Sequence, residues 1–205
     1  MTGSRLIHVV DDDEAVRKSA MFLLRRAGFT VRPWASGGAL LEEIDTDALA
    51  CILLDMRMPP PDGLAVQREL ARRGSLLPVI VFSGHGDLTI IIQALQAGAA
   101  DFIEKPFERS LLLAAIEGAF RRMEDPMEAD RQKEAAMQTL AILDDEERLM
   151  LEKLASGWTN DRVARSLGYS PHQIELRRAR VFNKLGISGL PALVRIALAA
   201  ELVDL

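Results

Sequence analysis

Four acidic residues follow one another where the first apolar run of the chain ends. Val9 and Val10 lead directly into Asp11-Asp12-Asp13-Glu14. Adjacent like charges repel, so this arrangement costs free energy unless a partner offsets it. The N-terminus of a helix stabilises an acid by capping, and Mg²⁺ binds one or two carboxylates from a protein. Capping by itself does not account for all four acids, so we also expect a Mg²⁺ site here.

Three more side chains with chemical capability stand at or just after the ends of later apolar runs: Asp55, Ser83 and Lys105. A divalent cation beside Asp55, the ammonium of Lys105 and the hydroxyl of Ser83 would together neutralise a dianionic group. The set therefore favours phosphoryl transfer onto an aspartate, with Asp55 as the acceptor.

The elements that must position these side chains alternate along the first part of the chain. Strands are predicted over 6–10, 29–34, 50–54, 78–82 and 100–103, and helices over 14–27, 36–45, 63–73, 88–97 and 109–122. This alternation predicts an α/β fold, a five-stranded parallel, doubly wound (flavodoxin-like) sheet with helices on both faces. The carboxyl ends of parallel strands share one edge, where such sheets build their sites.

The rest of the chain has no strand signal. Residues 123–138 are polar and charged, and we expect them to form a helical linker between a domain over 1–122 and an all-α domain over 139–205. Four helices are predicted in the second domain, over 144–156, 159–167, 171–185 and 190–201. The third follows a helix and a glycine-bearing turn, which is the layout of a helix-turn-helix.

The helix predicted over 171–185 has a distinct polar face. Ser170 and Gln173 form a capping box around Pro171 at its start. Ile174, Val181 and Leu185 share one face, and the opposite side carries His172, Glu175, Leu176, Ala179, Arg180 and Asn183. A basic helix is often only a solvated surface, so this pattern alone leaves that alternative open.

Composition narrows the class of protein. The chain has 205 residues and a net charge of −5, and neither domain is basic, so any nucleic-acid binding must come from a local patch. No apolar run approaches the ~20 residues of a membrane span, and we expect no signal peptide. Cys51 is the only cysteine, so no internal disulfide can form, and we expect a cytoplasmic protein.

Residues 5–122 resemble the receiver domain of two-component signalling, and more narrowly the FixJ type. The motifs that carry the resemblance are Val-Val-Asp-Asp-Asp-Glu (9–14), Leu-Asp-Met-Arg-Met-Pro (54–59), Ser-Gly-His-Gly-Asp (83–87) and Asp-Phe-Ile-Glu-Lys-Pro-Phe (101–107). The resemblance implies that Asp55 accepts a phosphoryl group from a histidine kinase. It also implies that Mg²⁺ is held by Asp11, Asp12, Asp55 and the backbone carbonyl of Arg57. Ser83 would be the switch hydroxyl, Phe102 the switch aromatic and Lys105 the phosphate-binding lysine.

Residues 143–187 resemble the LuxR/FixJ-type DNA-binding domain. Matching pieces include Leu167-Gly168-Tyr169-Ser170 and Lys184-Leu185-Gly186-Ile187. The resemblance implies that the helix over 171–185 enters the major groove of double-stranded DNA. Bases would be read by Glu175, Leu176 and Ala179, and phosphates bound by Asn160, Gln173, Arg180 and Lys184, with His172 and Asn183 on the same face.

This second domain departs from its family pattern at three positions. Glu146 stands where an arginine is usual, Asp161 replaces a lysine, and Arg177 takes a position often held by histidine. A carboxylate in place of a phosphate-facing lysine weakens the salt-dependent part of DNA affinity.

The leading interpretation is a non-enzymatic response regulator that dimerises when phosphorylated and then binds a two-fold promoter site. The helix over 191–200 is apolar nearly all round apart from Arg195, and it has more apolar surface than one small domain can cover. It is therefore a candidate dimer contact. One alternative is a regulator with weakened or lost DNA binding that acts through a protein partner. Another is a haloacid-dehalogenase-type phosphatase, which Asp11-Asp12-Asp13 resembles, although Ala15 stands where a threonine is usual.

Overall fold

A computed structural model describes residues 5–45, 49–84, 88–125 and 127–203. The chain divides into two compact units, residues 1–125 and 126–205. Within the described residues, no single helix is long and apolar enough to cross a membrane. The last two helices, Pro171–Leu185 and Leu190–Ala199, meet that test only as a pair bent by 63°.

The described residues of the first unit form one parallel sheet of five strands, in the order β2-β1-β3-β4-β5. The strands are β1 (Leu6–Val10), β2 (Thr30–Trp34), β3 (Ala50–Asp55), β4 (Val79–Ser83) and β5 (Asp101–Glu104). This order and direction confirm the doubly wound, flavodoxin-like fold predicted from the alternation of elements. The chain reverses its direction of winding beside β1 and β3, so the crevice at their carboxyl ends lies at the topological switch point.

Helices cover both faces of the sheet. They are α1 (Glu14–Arg26), α2 (Gly37–Glu43), α3 (Gly63–Arg72), α4 (Leu88–Gln96) and α5 (Arg109–Glu124). Strands β3 and β4 are buried along their whole length, as expected for central strands of a parallel sheet. On one face, Phe82 packs in a cluster with Ile116 and Phe120 of α5, all without exposed area. This rigid core fixes the strand ends where the polar side chains stand.

The described part of the second unit is all-α, as predicted. Its helices are α6 (Glu128–Leu140), α7 (Asp145–Ala155), α8 (Asn160–Leu167), α9 (Pro171–Leu185) and α10 (Leu190–Ala199). Helix α6 lies mostly within the segment expected as a linker, and it packs against α10. An ion pair of 2.5 Å between Lys133 and Glu201 adds to that packing.

Helix α10 is less exposed than its composition suggested. Leu193, Val194 and Ala197 are fully buried where α10 meets α6 and α7. None of its described large apolar side chains is among the strongly exposed ones. The expected surplus of apolar surface on α10 did not take α6 into account, because that segment was predicted to be a linker. Helix α6 covers part of this surface.

Candidate phosphoryl and metal site, and candidate nucleic-acid interface

Three carboxylates meet at the carboxyl edge of the sheet. Asp55 is the last residue of β3, and Asp11 follows β1 in the register that pairs Val10 with Leu54. Ligand oxygens of Asp11, Asp12 and Asp55 all lie within 4.8 Å of one another. The parallel register thus brings together residues that are far apart in sequence, and the three carboxylates could hold a metal ion.

The four consecutive acids divide into two functions in the structure. Asp11 is fully buried and its Oδ1 accepts a hydrogen bond of 2.7 Å from the backbone N–H of Asp13. Asp13 is the N-cap of α1, because its Oδ1 accepts from the amides of Ala15 at 2.7 Å and Val16 at 3.3 Å. Glu14 pairs with Lys18 one turn later. Asp11 and Asp12 therefore belong to the carboxylate cluster, whereas Asp13 and Glu14 stabilise the helix start.

Lys105 supplies the positive charge of the site. Its Nζ lies 2.7 Å from Oδ2 of Asp11 and 3.0 Å from Oδ2 of Asp55. The ammonium also lies 4.4 Å from the centroid of the Phe82 ring, a cation–π contact. Since the lysine side chain is only 19% exposed, water screens these interactions weakly. A single ammonium thus bridges two buried carboxylates.

The pKa of Asp55 is shifted chiefly by burial and also by the charges around the carboxylate. Burial raises the pKa of Asp55 above its usual value, and the charge of Asp11 acts in the same direction. Lys105 and the backbone amide of Arg57, which donates to Oδ1 of Asp55 at 3.3 Å, oppose that rise in pKa. A cation bound among the carboxylates would favour their charged forms.

The hydroxyl and aromatic side chains singled out in the sequence also lie at or near this edge. Ser83 is fully buried at the end of β4, and Asp55 is in register with its neighbour Phe82. Phe102 is 8% exposed on β5, in register with Val81. The amide of Lys105 donates to the carbonyl of Ser83 at 2.7 Å, so the two site residues are tied through the backbone. Residues 85–87 of the same motif lie outside the described residues.

Two supporting residues were missed in the sequence. A Cβ on Gly63 would lie 2.3 Å from the carbonyl oxygen of Asp55, so the start of α3 fits against the end of β3 only as glycine. The guanidinium of Arg17 donates to the backbone carbonyl of Asp11. The sequence contains one signal for Gly63, which directly follows the N-capping aspartate Asp62. It contains none for Arg17, because nothing near this residue distinguishes it from a solvated arginine.

The helix-turn-helix predicted in the second unit is present as α8, a turn at Gly168 and α9. Gly168 has a φ of 76°, a left-handed conformation that favours glycine. Ser170 and Gln173 form the expected capping box at the start of α9. Ile174 and Val181 are buried, while the opposite face presents exposed residues, namely His172, Gln173, Glu175, Leu176, Ala179, Arg180, Asn183 and Lys184. Helix α9 thus offers a continuous face of the kind that reads a major groove.

Several residues that the family resemblance assigns to phosphate binding already have partners within the unit. Lys184 Nζ lies 2.7 Å from Oε2 of Glu147. Asn160 Oδ1 accepts from Arg178 at 3.3 Å, and Gln173 Oε1 accepts from the amide of Ser170 at 2.8 Å. These groups would have to exchange or share their partners in order to contact DNA.

Two of the departures from the family pattern meet in one contact. Arg177 Nη1 lies 2.9 Å from Oε2 of Glu146, whose other oxygen accepts from the hydroxyl of Tyr169. The Arg177 guanidinium also stacks 4.1 Å from the centroid of the Tyr169 ring. The Tyr169 hydroxyl and then Arg177 lower the pKa of Glu146. Glu146 and Arg177, which both depart from the family pattern, therefore pair with each other.

Comparison with family models gives a match in each unit. Residues 7–117 match the response regulator receiver domain, and residues 141–197 match the luxR family of bacterial regulatory proteins. The first match contains every residue of the carboxylate cluster together with Ser83 and Lys105. The second contains α7, α8, α9 and most of α10.

Several relatives are similar to this chain over nearly their whole length, across both units. The chain is 39% identical over 200 residues to the transcriptional regulatory protein FixJ of Azorhizobium caulinodans, which covers 98% of this chain and 95% of that protein. It is 36% identical over 204 residues to FixJ of Bradyrhizobium diazoefficiens, which covers all of both chains. The crystal structure of full-length FixJ from B. japonicum aligns over 100% of both chains with a TM-score of 0.58 and 35% identity.

Proposed function

Because the chain belongs to the response regulators that join a receiver domain to a luxR-family regulatory domain, we propose that it is a transcription factor switched by phosphorylation of Asp55. The domains proposed are a receiver over 1–122, a helical linker over 123–138 and a DNA-binding domain over 139–205. The observation that carries this proposal is the bridging of buried Asp11 and Asp55 by Lys105. Such a charge arrangement suits a site that takes up a phosphoryl group.

The donor set of the site fits Mg²⁺. The cluster offers three carboxylates whose oxygens lie within 4.8 Å of one another, and Mg²⁺ prefers such hard oxygen ligands. Asp11, Asp12, Asp55 and the backbone carbonyl of Arg57 would hold the ion. When bound, Mg²⁺ neutralises charge on the transferring phosphoryl group.

The remaining chemistry belongs to side chains of this chain. An oxygen of Asp55 bonds to phosphorus while the bond from phosphorus to the histidine nitrogen of a kinase breaks. Lys105 lies 3.0 Å from Asp55, so its ammonium is within reach of a phosphoryl oxygen there. The hydroxyl of Ser83 is drawn toward the new acceptor oxygens, and Phe102 turns into the space left behind. The surface of α4 and β5 changes as a result, and two receivers pair.

The second unit then acts on DNA. Paired receivers present two copies of α9 to a two-fold promoter site in the cytoplasm. Glu175, Leu176 and Ala179 read bases, and Arg180 and Lys184 contact phosphates, with His172 and Asn183 beside them. The exposure of Leu176, 48% on the outer face of α9, supports its contact with a thymine methyl group.

The acceptor assignment is tested by incubating the protein with acetyl phosphate and Mg²⁺, followed by mapping of the phosphorylated peptide. We expect one phosphoryl group on Asp55, and none on D55N. Phosphate on Asp11 or Asp13 would instead favour the phosphatase alternative, and steady hydrolysis of a phosphate ester would do the same.

A second candidate function is regulation through a protein partner without DNA binding. The pairing of Lys184 with Glu147 and of Asn160 with Arg178 favours it, because these groups lose capacity for phosphate. A gel shift at low salt with phosphorylated protein and fragments of the chromosome separates the two candidates. If the protein binds none of the fragments, the result favours regulation through a protein partner.

A further inference from the structure

The first turn of α7 is acidic, and it faces a line of cations on α9. Arg177, Arg180 and Lys184 follow one another at intervals of three and four residues, so they share one side of the helix. We call these three residues the cationic ridge. A groove between α7 and α9 is lined on one side by Asp144, Glu146 and Glu147, and on the other by Arg177 and Arg180.

Two members of the cationic ridge are paired with this acidic turn. Arg177 lies 2.9 Å from Glu146, and Lys184 lies 2.7 Å from Glu147. Glu147 is held in place by the capping box, in which its Oε2 accepts from the amide of Asp144 at 3.1 Å. Glu146 accepts from the hydroxyl of Tyr169 through Oε1, while Arg177 pairs with Oε2. Each carboxylate thus also accepts a hydrogen bond from a group outside its ion pair.

These pairs do little for the stability of the fold. The side chains of Glu146 and Arg177 are 46% and 39% exposed, so water screens the pair and it adds little to the stability of the fold. Their effect on DNA is larger, because affinity for the phosphate backbone depends on how many phosphates the protein neutralises. A guanidinium whose charge is already balanced by a carboxylate displaces fewer counterions from DNA.

We propose that Glu146 is a positioning residue that sets the salt dependence of DNA binding by holding Arg177 away from the phosphates. This inference rests on the proposed DNA-binding function. The glutamate weakens the phosphate-dependent part of the affinity for DNA, and this weakening is about the same for every DNA sequence.

The experiment measures binding of the full-length protein to sheared, mixed-sequence double-stranded DNA over a range of salt concentrations. E146Q keeps the shape and the acceptor oxygen of the side chain but releases the charge of Arg177. We expect its plot of log affinity against log salt to be steeper by about 0.9. Between about 50 and 200 mM salt its affinity falls about 3.5-fold more than that of the wild type.

The double variant E146Q/R177Q removes both charges and has the net charge of the wild type. If Arg177 makes no phosphate contact in the wild type, the double variant has the wild-type slope. Y169F is the matched control, because it removes the hydroxyl bonded to Glu146 but leaves the ion pair and the aromatic ring. We expect Y169F to leave the slope unchanged.

Two results would overturn the proposal, and they are distinguishable from each other. An E146Q slope equal to that of the wild type, with DNA bound by both, removes the role of Glu146 and leaves the proposed function intact. Absence of binding by all variants at low salt, phosphorylated or not, removes the DNA-binding function together with this inference. Circular dichroism of each variant confirms that the helices are retained.

Discussion

Nζ of Lys105 lies 2.7 Å from Oδ2 of Asp11, a residue 94 positions earlier in the chain. The same atom lies 3.0 Å from Oδ2 of Asp55. One ammonium therefore serves two buried carboxylates, and Asp12 adds a third carboxylate at the surface. The site carries an excess of negative charge that a bound divalent cation would balance.

Removal of one buried carboxylate should stabilise the protein. Burial raises the pKa of Asp55 in the folded state, so between its unfolded and folded values the folded chain binds more protons, and stability falls as the pH rises. D55N removes this penalty. Without Mg²⁺ we expect its free energy of unfolding to exceed that of the wild type near pH 7 and to differ little near pH 3. Urea unfolding at both pH values measures this, and an equal gain at both would contradict it.

Removal of the Lys105 ammonium should destabilise the protein. K105M leaves Asp11 and Asp55 buried without a cation, which costs about 3 kcal/mol. The loss should be smaller in K105M/D55N, because only one buried carboxylate then lacks its partner. Added Mg²⁺ should raise the unfolding free energy of K105M more than that of the wild type. The measurement is urea unfolding with and without the ion, and equal Mg²⁺ effects on both proteins would disprove a shared site.

Neighbouring aspartates should respond unequally to truncation. D12A should abolish Mg²⁺-dependent phosphorylation by acetyl phosphate, since it removes a carboxylate of the cluster. D13A should keep phosphorylation and lose about 1 kcal/mol of stability, since Asp13 caps α1. Intact mass after acetyl phosphate treatment and urea unfolding give the two readouts. Similar loss of phosphorylation in both variants would show that this division of the acids is wrong.

Two glycine-to-alanine substitutions should change the stability of the fold in opposite directions. G63A places a Cβ 2.3 Å from the carbonyl oxygen of Asp55 and 2.7 Å from Cα of Met56. Since both are backbone atoms, the strand must shift, and we expect a loss of about 2 kcal/mol. G118A, inside α5, meets only the ends of arginine side chains at 3.8 Å and 3.9 Å. It should gain about 0.5–1 kcal/mol from helix propensity. Thermal unfolding of both variants tests the pair.

Loss of the Ser83 hydroxyl should prevent dimerisation without preventing phosphorylation of Asp55. S83A removes a buried hydroxyl at the end of β4 but keeps Asp55 and the carboxylate cluster. We expect it to accept a phosphoryl group and to remain monomeric, while the phosphorylated wild type dimerises. Size-exclusion chromatography with light scattering, before and after acetyl phosphate, makes the comparison. A wild type that stays monomeric in both states would count against dimerisation itself.

Local patterns in the chain predict the elements and the fold class. Ser170 and Gln173 form their capping box, Asp13 caps α1, and the described strands differ from the predicted ones by no more than one residue at either end. Such features depend on neighbours a few residues away, so a single sequence contains them. The partial covering of α10 could not be predicted in this way, because the α6 helix that packs on it begins in a polar segment.

Contacts between distant residues depended on the tertiary structure. The sequence by itself determined which side chains stand at the carboxyl ends of the strands, because hydrophobic runs and turn residues mark those ends. It did not determine that Lys105 bridges Asp11 and Asp55, that Gly63 fits against the end of β3, or that Glu146 pairs with Arg177. Those distances follow from strand register and helix packing, which depend on the whole core and not on any short stretch of chain.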